Sequence, residues 1–200
     1  MEVKLIDYMV DPIFRATQVC KNTENDLLEV LDRALEHGHT PLLEHMVFSF
    51  EIEGISRACS HQLVRHRIAS YAQESQRYVP VDSDEWYVVP KDIEDYYNYH
   101  KLMEVIMAAY KQMINNGVPM EEARYVLPNS CKTNMVMTIN GRSLDNFFTL
   151  RTCSHAQWEI RELANKMFQK VKVICGYFTK SIYPKCNECK FPCKGVENDG

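Results

Sequence analysis

Residues 62–77 form the part of the sequence that is richest in side chains able to bind a polar ligand. Arg65 and Arg67 flank His66, and a second polar run follows that consists of Gln73, Glu74, Ser75, Gln76 and Arg77. Guanidinium, amide and hydroxyl groups are donors that suit phosphate and carboxylate groups. Placement at a helix C-terminus, where a cation gains ~0.3–1 kcal/mol from the dipole, would explain Arg65 and Arg67 but not the second run. The segment therefore favours a nucleotide or phosphate site.

Arginine and lysine are segregated along the chain. Between Lys21 and Lys91 there are five arginines and no lysine, and between Lys132 and Lys166 there are three arginines and no lysine. Arginine suits planar, bidentate recognition of anions, whereas lysine more often solvates a surface. The two lysine-free segments are therefore candidate functional regions, and the alternative is chance in a small sample.

Two strand-then-helix units are predicted to position these side chains. Residues 46–53 alternate between apolar and polar side chains, Gly54 is expected to end this strand, and residues 55–67 are expected to be helical. A second alternating run at 133–139 precedes a helix that starts at Ser143. Because the two units coincide with the lysine-free segments, we expect two elements that converge on one anionic site.

The predicted helix 55–67 separates the two arginines. Gln62 and Arg65 would share a helix face, whereas Arg67 would lie about 200° from Arg65 at 100° per residue, so the two guanidiniums should reach different ligand groups. The other predicted elements are a strand at 2–6 and helices at 27–35, 92–115, 120–126 and 154–175, the first of them preceded by a capping-box pattern at Thr23 and Asp26 and followed by Gly38.

The composition excludes several classes of protein. The 200 residues are 46% apolar with a net charge of −4, which predicts one folded domain and argues against a dedicated nucleic-acid binder. The longest apolar run is far shorter than the ~20 residues of a membrane helix, and no signal-peptide pattern is seen, so we expect a cytoplasmic protein with no membrane partner. The sequence contains neither a Rossmann G-x-G-x-x-G nor a Walker G-K-[ST].

The eight cysteines fall into two groups. Five are scattered among apolar neighbours and are expected to be reduced packing residues. Cys186, Cys189 and Cys193 form C-x2-C-x3-C in a tail rich in Pro and Lys, one ligand short of a structural zinc site. The tail is therefore either a zinc candidate that borrows a fourth ligand or an exposed segment without metal.

The spacing R-H-R-x(7)-S, formed by Arg65-His66-Arg67 and Ser75, resembles the signature of the flavin-dependent thymidylate synthases, the ThyX family. The resemblance covers roughly residues 1–180, and further segments resemble motifs of that family in the same order: Leu43–Phe50, Ala123–Pro128, Asn140–Phe148 and Arg151–Trp158.

The resemblance implies a fold and a reaction. It implies a single mixed α/β (α+β) catalytic domain over 1–180, with a central antiparallel or mixed sheet flanked by long helices. The Cys- and Lys-rich tail over 181–200 lies outside the resemblance. The resemblance also implies a homotetramer with active sites at subunit junctions. The implied activity is that of a methyltransferase flavoprotein that makes dTMP from dUMP. Methylenetetrahydrofolate is the carbon donor, FAD the cofactor and NADPH the reductant, and no enzymic cysteine nucleophile is needed.

The same resemblance implies roles for individual residues. Arg151 is expected to lie against the uracil and to stabilise ionisation of the ring as the catalytic residue. The residues expected to contact dUMP are Gln62, Arg65, Gln73, Glu74, Ser75, Gln76, Arg77, Arg124 and Arg151. Those expected to contact FAD are Arg65, His66, Arg67, Gln73, Asn140, Arg142, Asn146 and Pro41, with Thr40 as the alternative to Pro41. His39 and His155 lie in matching motifs and are either ligands or hydrogen-bonded structural histidines.

Two other functions are kept as hypotheses. A flavin reductase with the same pocket would oxidise NADPH without dUMP. A nucleotide or RNA binder would use the arginines for phosphates with a steep salt dependence and would bind no flavin. The binder hypothesis predicts a basic chain and gives no reason for Asn140, Asn146 and Arg151 to follow a second strand.

Overall fold

A four-stranded antiparallel sheet forms the centre of the computed structural model, which describes residues 1–22, 26–181 and 183. Its strands lie in the order β1-β2-β4-β3, and each neighbouring pair is antiparallel. Sequence pattern predicts three of the four. The strands are β1 (Glu2–Met9), β2 (Val47–Ser56), β3 (Ala69–Gln73) and β4 (Lys132–Asn140).

Helices pack against the sheet, so the predicted mixed α/β class is confirmed. The helices are α1 (Pro12–Lys21), α2 (Leu27–Glu36), α3 (Arg57–Leu63), α4 (Tyr97–Asn115), α5 (Met120–Ala123), α6 (Gly141–Arg151), α7 (Trp158–Lys172) and α8 (Gly176–Lys180). Short 3-10 helices occur at Thr40–His45, Lys91–Ile93 and Arg124–Val126. Within the described parts of the chain, no helix is both long enough and apolar enough to cross a bilayer.

The main core lies between one face of the sheet and helices α6 and α7. The period-two pattern of β2 places Phe48, Phe50 and Ile52 on this face, and all three are fully buried. Burying such large apolar side chains stabilises the fold by roughly 1.5–3 kcal/mol each. The helices cover them with buried apolar residues that include Leu144, Phe147, Phe148, Ile160, Leu163 and Met167.

The expectation that Gly54 ends the second strand is wrong. β2 continues to Ser56 through an irregularity between Ile52 and Ile55, and Gly54 accommodates it with a φ of +69°. A bulge of this kind uses glycine because side-chain-bearing residues rarely adopt positive φ. Helix α3 therefore begins later than predicted, with the Ser56 side chain accepting a hydrogen bond from Cys59 N.

Helix α3 also ends earlier than predicted, at Leu63. Arg65 and Arg67 consequently lie in the loop between α3 and β3 rather than on a helix. The argument that separated them by 200° on a helical wheel is wrong. Their positions are determined by the loop and by β3, which pairs with β4 from Ala69 to Gln73 and was not predicted as a strand.

Other boundaries differ by a few residues. Helix α4 begins at Tyr97, five residues after the predicted start, and α7 begins at Trp158, four residues later. Helix α1 was not predicted. Gly38 follows α2 with a φ of +80°, as its position predicts, whereas Leu28 on the predicted apolar face is 65% exposed. The proposed capping box involves Thr23, which lies outside the described residues.

Candidate active site

An open cleft of about 660 Å³ gathers most of the residues that sequence reasoning assigned to the flavin. The loop after α3, the first turn of α6 and the last turn of α6 form its walls. Three arginines at its mouth give it a cationic character, and two apolar side chains add flat contact area. The lining residues are Glu44, Arg65, His66, Arg67, Ile68, Asn140, Arg142, Ser143, Asn146, Leu150 and Arg151.

Tyr71 of β3 holds the loop that carries the Arg-His-Arg sequence. Its hydroxyl lies 3.0 Å from the Leu63 carbonyl and 2.9 Å from the His66 carbonyl, at the two ends of the turn. Burial raises the pKa of Tyr71 to about 12, so the hydroxyl stays protonated and can donate at neutral pH. The exposed Arg65 and Arg67 thus project from a turn whose backbone is fixed by a neighbouring strand.

Arg151 and His66 are directly hydrogen-bonded across the cleft. Arg151 Nε donates to His66 Nε2 at 3.0 Å, and the imidazole packs edge-on against Phe147 with 4.9 Å between ring centroids. Burial, together with the positive charge of Arg151, lowers the pKa of His66 to about 4. His66 is therefore neutral at physiological pH and acts as an acceptor that orients the guanidinium. Because this bond uses Nε–H, the two Nη groups of Arg151 remain for a ligand.

The pKa of His66 predicts a specific pH dependence of stability. The folded-state value near 4 lies below the ordinary value of 6.5, so in this interval the unfolded chain binds a proton that the folded chain excludes. The free energy of unfolding should therefore fall as the pH decreases from about 6.5 to about 4. His66→Gln, whose amide oxygen still accepts from Arg151, should lose stability less steeply. Urea denaturation of both proteins across this window measures the difference, and identical slopes would contradict the assignment.

The first turn of α6 packs tightly on the 3-10 helix that contains Glu44. Asn140 caps α6 by accepting a hydrogen bond from Ser143 N at 2.8 Å, and Gly141 N donates to the Met46 carbonyl at 2.9 Å. Arg142 forms an ion pair with Glu44, and both side chains are about half exposed. Gly141 permits the contact, because a Cβ there would lie 2.7 Å from the Leu43 carbonyl oxygen.

Sequence reasoning missed four of the residues that line the cleft. Glu44 belongs to the Leu43–Phe50 segment that resembles a family motif, and that motif was the available signal for it. Ser143 likewise belongs to the Asn140–Phe148 segment, which resembles another family motif, whereas Ile68 and Leu150 carried no signal of their own. Among the described residues that line the cleft, neither Pro41 nor its alternative Thr40 is present, although both lie on the same 3-10 helix as Glu44.

The predicted residues of the Gln73–Arg77 segment lie at the opposite end of β4. Glu74 N donates to the Asn134 carbonyl at 2.9 Å, so the Gln73–Arg77 segment begins near the start of β4. Asn140 at the cleft is the last residue of β4 and pairs with Val47. Six residues of strand separate the two ends, which corresponds to about 20 Å at ~3.3 Å per residue. One chain thus presents two clusters of predicted ligand-binding residues, not one.

Glu121 joins two arginines of this second cluster. Arg77 forms an ion pair with the Glu121 carboxylate at 2.7 Å, and Arg124 Nε donates to the Glu121 carbonyl at 3.1 Å. The structure therefore brings together two arginines that are 47 positions apart in sequence, both of them assigned to the same nucleotide. Two guanidiniums that both contact Glu121 are donors suited to a phosphate.

The polar side chains of the second cluster also fix its backbone. Gln73 Nε2 lies 3.1 Å from Ser60 Oγ and 3.2 Å from Thr133 Oγ1, and Gln76 Nε2 lies 3.3 Å from Cys131 Sγ. Glu74 accepts from Asn134 N and Ser75 Oγ from Arg77 N. Gln62 lies half-buried on α3. In the described residues, these contacts within one chain occupy several of the groups assigned to dUMP.

The donor set of the cleft fits an anionic ligand with a planar part. Arg65, Arg67 and Arg142 can neutralise phosphates, and the first turn of α6 adds the positive end of the helix dipole. Ile68 and Leu150 can contact an aromatic ring. No cluster of three His, Cys, Asp or Glu side chains suited to a metal ion occurs in residues 1–22, 26–181 and 183. The three tail cysteines of the zinc hypothesis lie outside these residues.

Comparison with known proteins places the chain in one family. Residues 4–175 match the profile of Thy1, described as thymidylate synthase complementing protein. The flavin-dependent thymidylate synthase of Geobacter sulfurreducens is 40% identical over 205 aligned positions, which cover 93% of this chain and 88% of that protein. The enzyme of the same name from Pyrococcus furiosus is 49% identical over 156 positions, which cover 74% of this chain. The match spans 64% of the length of the Pyrococcus protein.

Solved structures agree with the sequence comparison. Thymidylate synthase X (ThyX) from Helicobacter pylori, crystallised with FAD and dUMP, superimposes with a TM-score of 0.73 at 26% identity. The alignment covers 85% of this chain and 93% of that one. The chain therefore shares its fold with that structure. The chain belongs to the Thy1 family of thymidylate synthase complementing proteins, the family of the flavin-dependent thymidylate synthases.

Proposed function

We propose that this chain is an FAD-dependent thymidylate synthase that converts dUMP to dTMP, with methylenetetrahydrofolate as carbon donor and NADPH as reductant. The observation that carries the proposal is the orientation of Arg151 by a neutral His66 in an arginine-rich cleft of this family's fold. Relatives at 40–49% identity are flavin-dependent thymidylate synthases, and a neighbouring structure holds FAD and dUMP.

The residues present fit FAD. Arg65, Arg67 and Arg142 would hold the phosphates at the cleft mouth, and Asn140 and Asn146 would supply polar contacts. FAD, when bound, supplies the redox chemistry by passing a hydride from NADPH to the substrate. The chain itself therefore needs no nucleophilic thiol. Consistent with this, burial raises the pKa of Cys59, Cys131 and Cys175, which keeps these thiols protonated.

Arg151 would act as the electrostatic stabiliser of the pyrimidine. A guanidinium stays protonated at any physiological pH, so it can favour negative charge on the uracil ring but cannot serve as a proton donor. The hydrogen bond to His66 fixes its plane before substrate binds, which avoids a reorganisation cost during the reaction. Gln62 on α3 and Arg65 in the loop that follows it would both contact dUMP.

We also propose a homotetramer in which each active site combines residues of different subunits. The supporting observation is the distance of about 20 Å along β4 between the cleft and the second cluster, Gln73–Arg77 with Arg124. Residues assigned to one nucleotide cannot all reach it within one chain at that distance. Exposed apolar side chains on and near α4, such as Leu102, Val105 and Tyr97, provide a surface for subunit contact.

Subunit mixing tests the shared site. Arg151→Lys removes the cleft arginine and Arg124→Gln removes one of the second cluster, so each variant alone should be nearly inactive. After unfolding and refolding together, the mixture should recover about a quarter of wild-type turnover, because a shared site then has both intact halves with that frequency. The matched control mixes Arg151→Lys with itself. No recovery from a folded, flavin-bound mixture would show that each site lies within one subunit.

Two further proposals concern the bounds of the catalytic domain and the cellular location of the protein. We propose that residues 1–180 form the catalytic domain and 181–200 a separate tail, which is consistent with a family match that ends at residue 175. A cytoplasmic location agrees with free thiols at all five cysteines of the described residues, since oxidising compartments favour disulfides. The zinc hypothesis for Cys186, Cys189 and Cys193 stays a prediction, to be tested by metal analysis before and after removal of 186–200.

An absorbance spectrum and a turnover assay separate the three functional hypotheses. After incubation with excess FAD and desalting, a retained band near ~450 nm shows a flavoprotein and excludes the pure nucleotide or RNA binder. A synthase then consumes NADPH to make dTMP only when dUMP and methylenetetrahydrofolate are present. A flavin reductase oxidises NADPH equally well without dUMP. A colourless, folded protein whose nucleotide affinity falls steeply with salt would instead support the binder.

A further inference from the structure

Arg57, the first residue of α3, carries the one buried side-chain nitrogen or oxygen in the described residues that has no hydrogen-bond partner. The atom is Nε, while the rest of the side chain is half-buried. Leaving such a donor without an acceptor costs about 1–3 kcal/mol. A stability argument alone would therefore favour an apolar side chain of similar shape at this position, so the guanidinium calls for another explanation.

The same guanidinium makes one well-formed hydrogen bond, and it goes to the second cluster. Arg57 Nη2 donates to the main-chain carbonyl of Glu74 at 3.0 Å. The base of the arginine is itself anchored, because Arg57 N donates to the Cys131 carbonyl at 2.9 Å and Ala58 N to the Asn129 carbonyl at 3.0 Å. Arg57 thus connects the start of α3 with the middle of the Gln73–Arg77 segment.

Cys131 contacts both Arg57 and the Gln73–Arg77 segment, so these groups form one connected cluster. Gln76 Nε2 contacts Cys131 Sγ at 3.3 Å, so the turn that anchors Arg57 also holds Gln76. Glu74 is also held by a main-chain hydrogen bond, which its N–H donates to the Asn134 carbonyl. A cavity of about 300 Å³ adjoins this connected cluster and is lined by Arg57, Glu74 and Gln76 among others. Space beside the segment would allow it to shift if the Arg57 contact were lost.

We propose that Arg57 is a positioning residue that sets the backbone of the Gln73–Arg77 segment for binding of the nucleotide phosphate and pyrimidine. The inference rests on the proposed function for the identity of the nucleotide, dUMP. Arg57 acts through Glu74 and its neighbours and does not touch the substrate. The hydrogen bond goes to the main-chain carbonyl of Glu74 rather than to its carboxylate. It therefore orients the peptide group that links Glu74 to Ser75.

Arg57→Met in the full-length holoenzyme tests this proposal. Methionine keeps the packing of the stem, removes the unpartnered donor and removes the bond to Glu74, so the melting temperature should stay within about 3 °C of wild type. The KM for dUMP should rise at least ~10-fold, while kcat at saturating dUMP and the flavin content stay within about 3-fold of wild type. Arg57→Lys, which restores a donor without the fork, should recover part of the loss.

Hydrogen–deuterium exchange gives a readout that does not depend on catalysis. The amide hydrogens of Glu74, Tyr78 and Val79 are protected from exchange because each amide donates a hydrogen bond within or beside the segment. These amides should exchange at least ~10-fold faster in Arg57→Met. Arg33→Met is the matched control, because Arg33 is exposed on α2 and its side chain forms an ion pair with the exposed Glu29. It should leave exchange, KM and kcat unchanged.

The outcomes separate this inference from the proposed function. A wild-type holoenzyme that forms no dTMP would refute the function, whereas the exchange of residues 74–79 would still decide the positioning role. Unchanged exchange, or faster exchange with an unchanged KM for dUMP, would overturn the role of Arg57. Loss of flavin together with kcat would show a general structural role and would also overturn it. If Arg57→Met fails to fold, Arg57→Lys takes its place, with a raised KM expected and an unchanged KM contradicting the proposal.

Discussion

Replacement of Arg151 by lysine should lower dTMP formation at least ~100-fold while the flavin remains bound, the scale of losing one preorganised electrostatic stabiliser. Lysine keeps the positive charge but loses the planar fork. In the structure, Nε of Arg151 donates to His66 and leaves both Nη groups for the ligand. A single ammonium cannot keep that contact and also present two coplanar donors to a pyrimidine.

Steady-state turnover and flavin absorbance of the holoenzyme measure both parts of this prediction. Arg33→Lys is the matched control, since that arginine lies exposed on α2 in a surface ion pair and should tolerate lysine without loss of activity. Retained flavin with a large loss of kcat supports the catalytic role of Arg151. Unchanged turnover would remove Arg151 from that role, and loss of the flavin would make it a cofactor ligand instead.

Gly141→Ala should have the second large effect, which is loss of stable flavin binding together with a lower free energy of unfolding. A Cβ at this position would lie 2.7 Å from the Leu43 carbonyl oxygen and 2.8 Å from the methyl carbon of Met46. Overpacking of this kind typically costs about 1–3 kcal/mol. The backbone carbonyl cannot rotate away as a side chain could, so α6 must shift relative to the 3-10 helix. Arg142 and Glu44, one on each element, would then separate.

The variant is compared with Gly176→Ala, where no heavy atom lies within 4 Å of the added Cβ. That control should change stability by no more than about 0.5 kcal/mol and should retain its flavin. Urea denaturation and the flavin content after desalting give the two quantities. A Gly141→Ala protein with wild-type stability and full flavin occupancy would show that the close approach of α6 to Leu43 is not required for the cleft.

The parts of the fold that follow from local pattern were predicted correctly. Along most of β2 and β4, buried apolar side chains alternate with more exposed ones, because one face of each strand is buried against helices. Both strands were predicted to within two residues at the ends that lie at the cleft. β3 was missed because its faces alternate only between half-buried and exposed, so it lacks the apolar periodicity that marks a buried strand.

The end of α3 shows why the site was predicted only in part. Local sequence gave no reason to stop the helix at Leu63, since the turn that follows is held by Tyr71 from a strand that was itself not predicted. The loop position of Arg65 and Arg67 is thus a tertiary effect. The Arg151–His66 bond is also tertiary, as it joins residues 85 positions apart. The cleft residues were named through motif resemblance, and their spacing along the chain does not encode their contacts.

The separation of the two clusters along β4 could not be read from the sequence at all. Gln73 and Arg65 are close in sequence, yet the extended conformation of β3 carries the segment after Gln73 away from the cleft. Only the antiparallel pairing of β3 with β4 reveals the distance. The pairing also suggests why residues assigned to one nucleotide would come from different subunits.

The proposed synthase activity is tested most directly by chromatographic measurement of dTMP formed from dUMP by the purified chain with FAD, methylenetetrahydrofolate and NADPH. We expect dTMP in proportion to NADPH oxidised, with tetrahydrofolate as the folate product and no dTMP when either dUMP or the flavin is omitted. A folded, flavin-bound protein that oxidises NADPH but forms no dTMP under these conditions would contradict it.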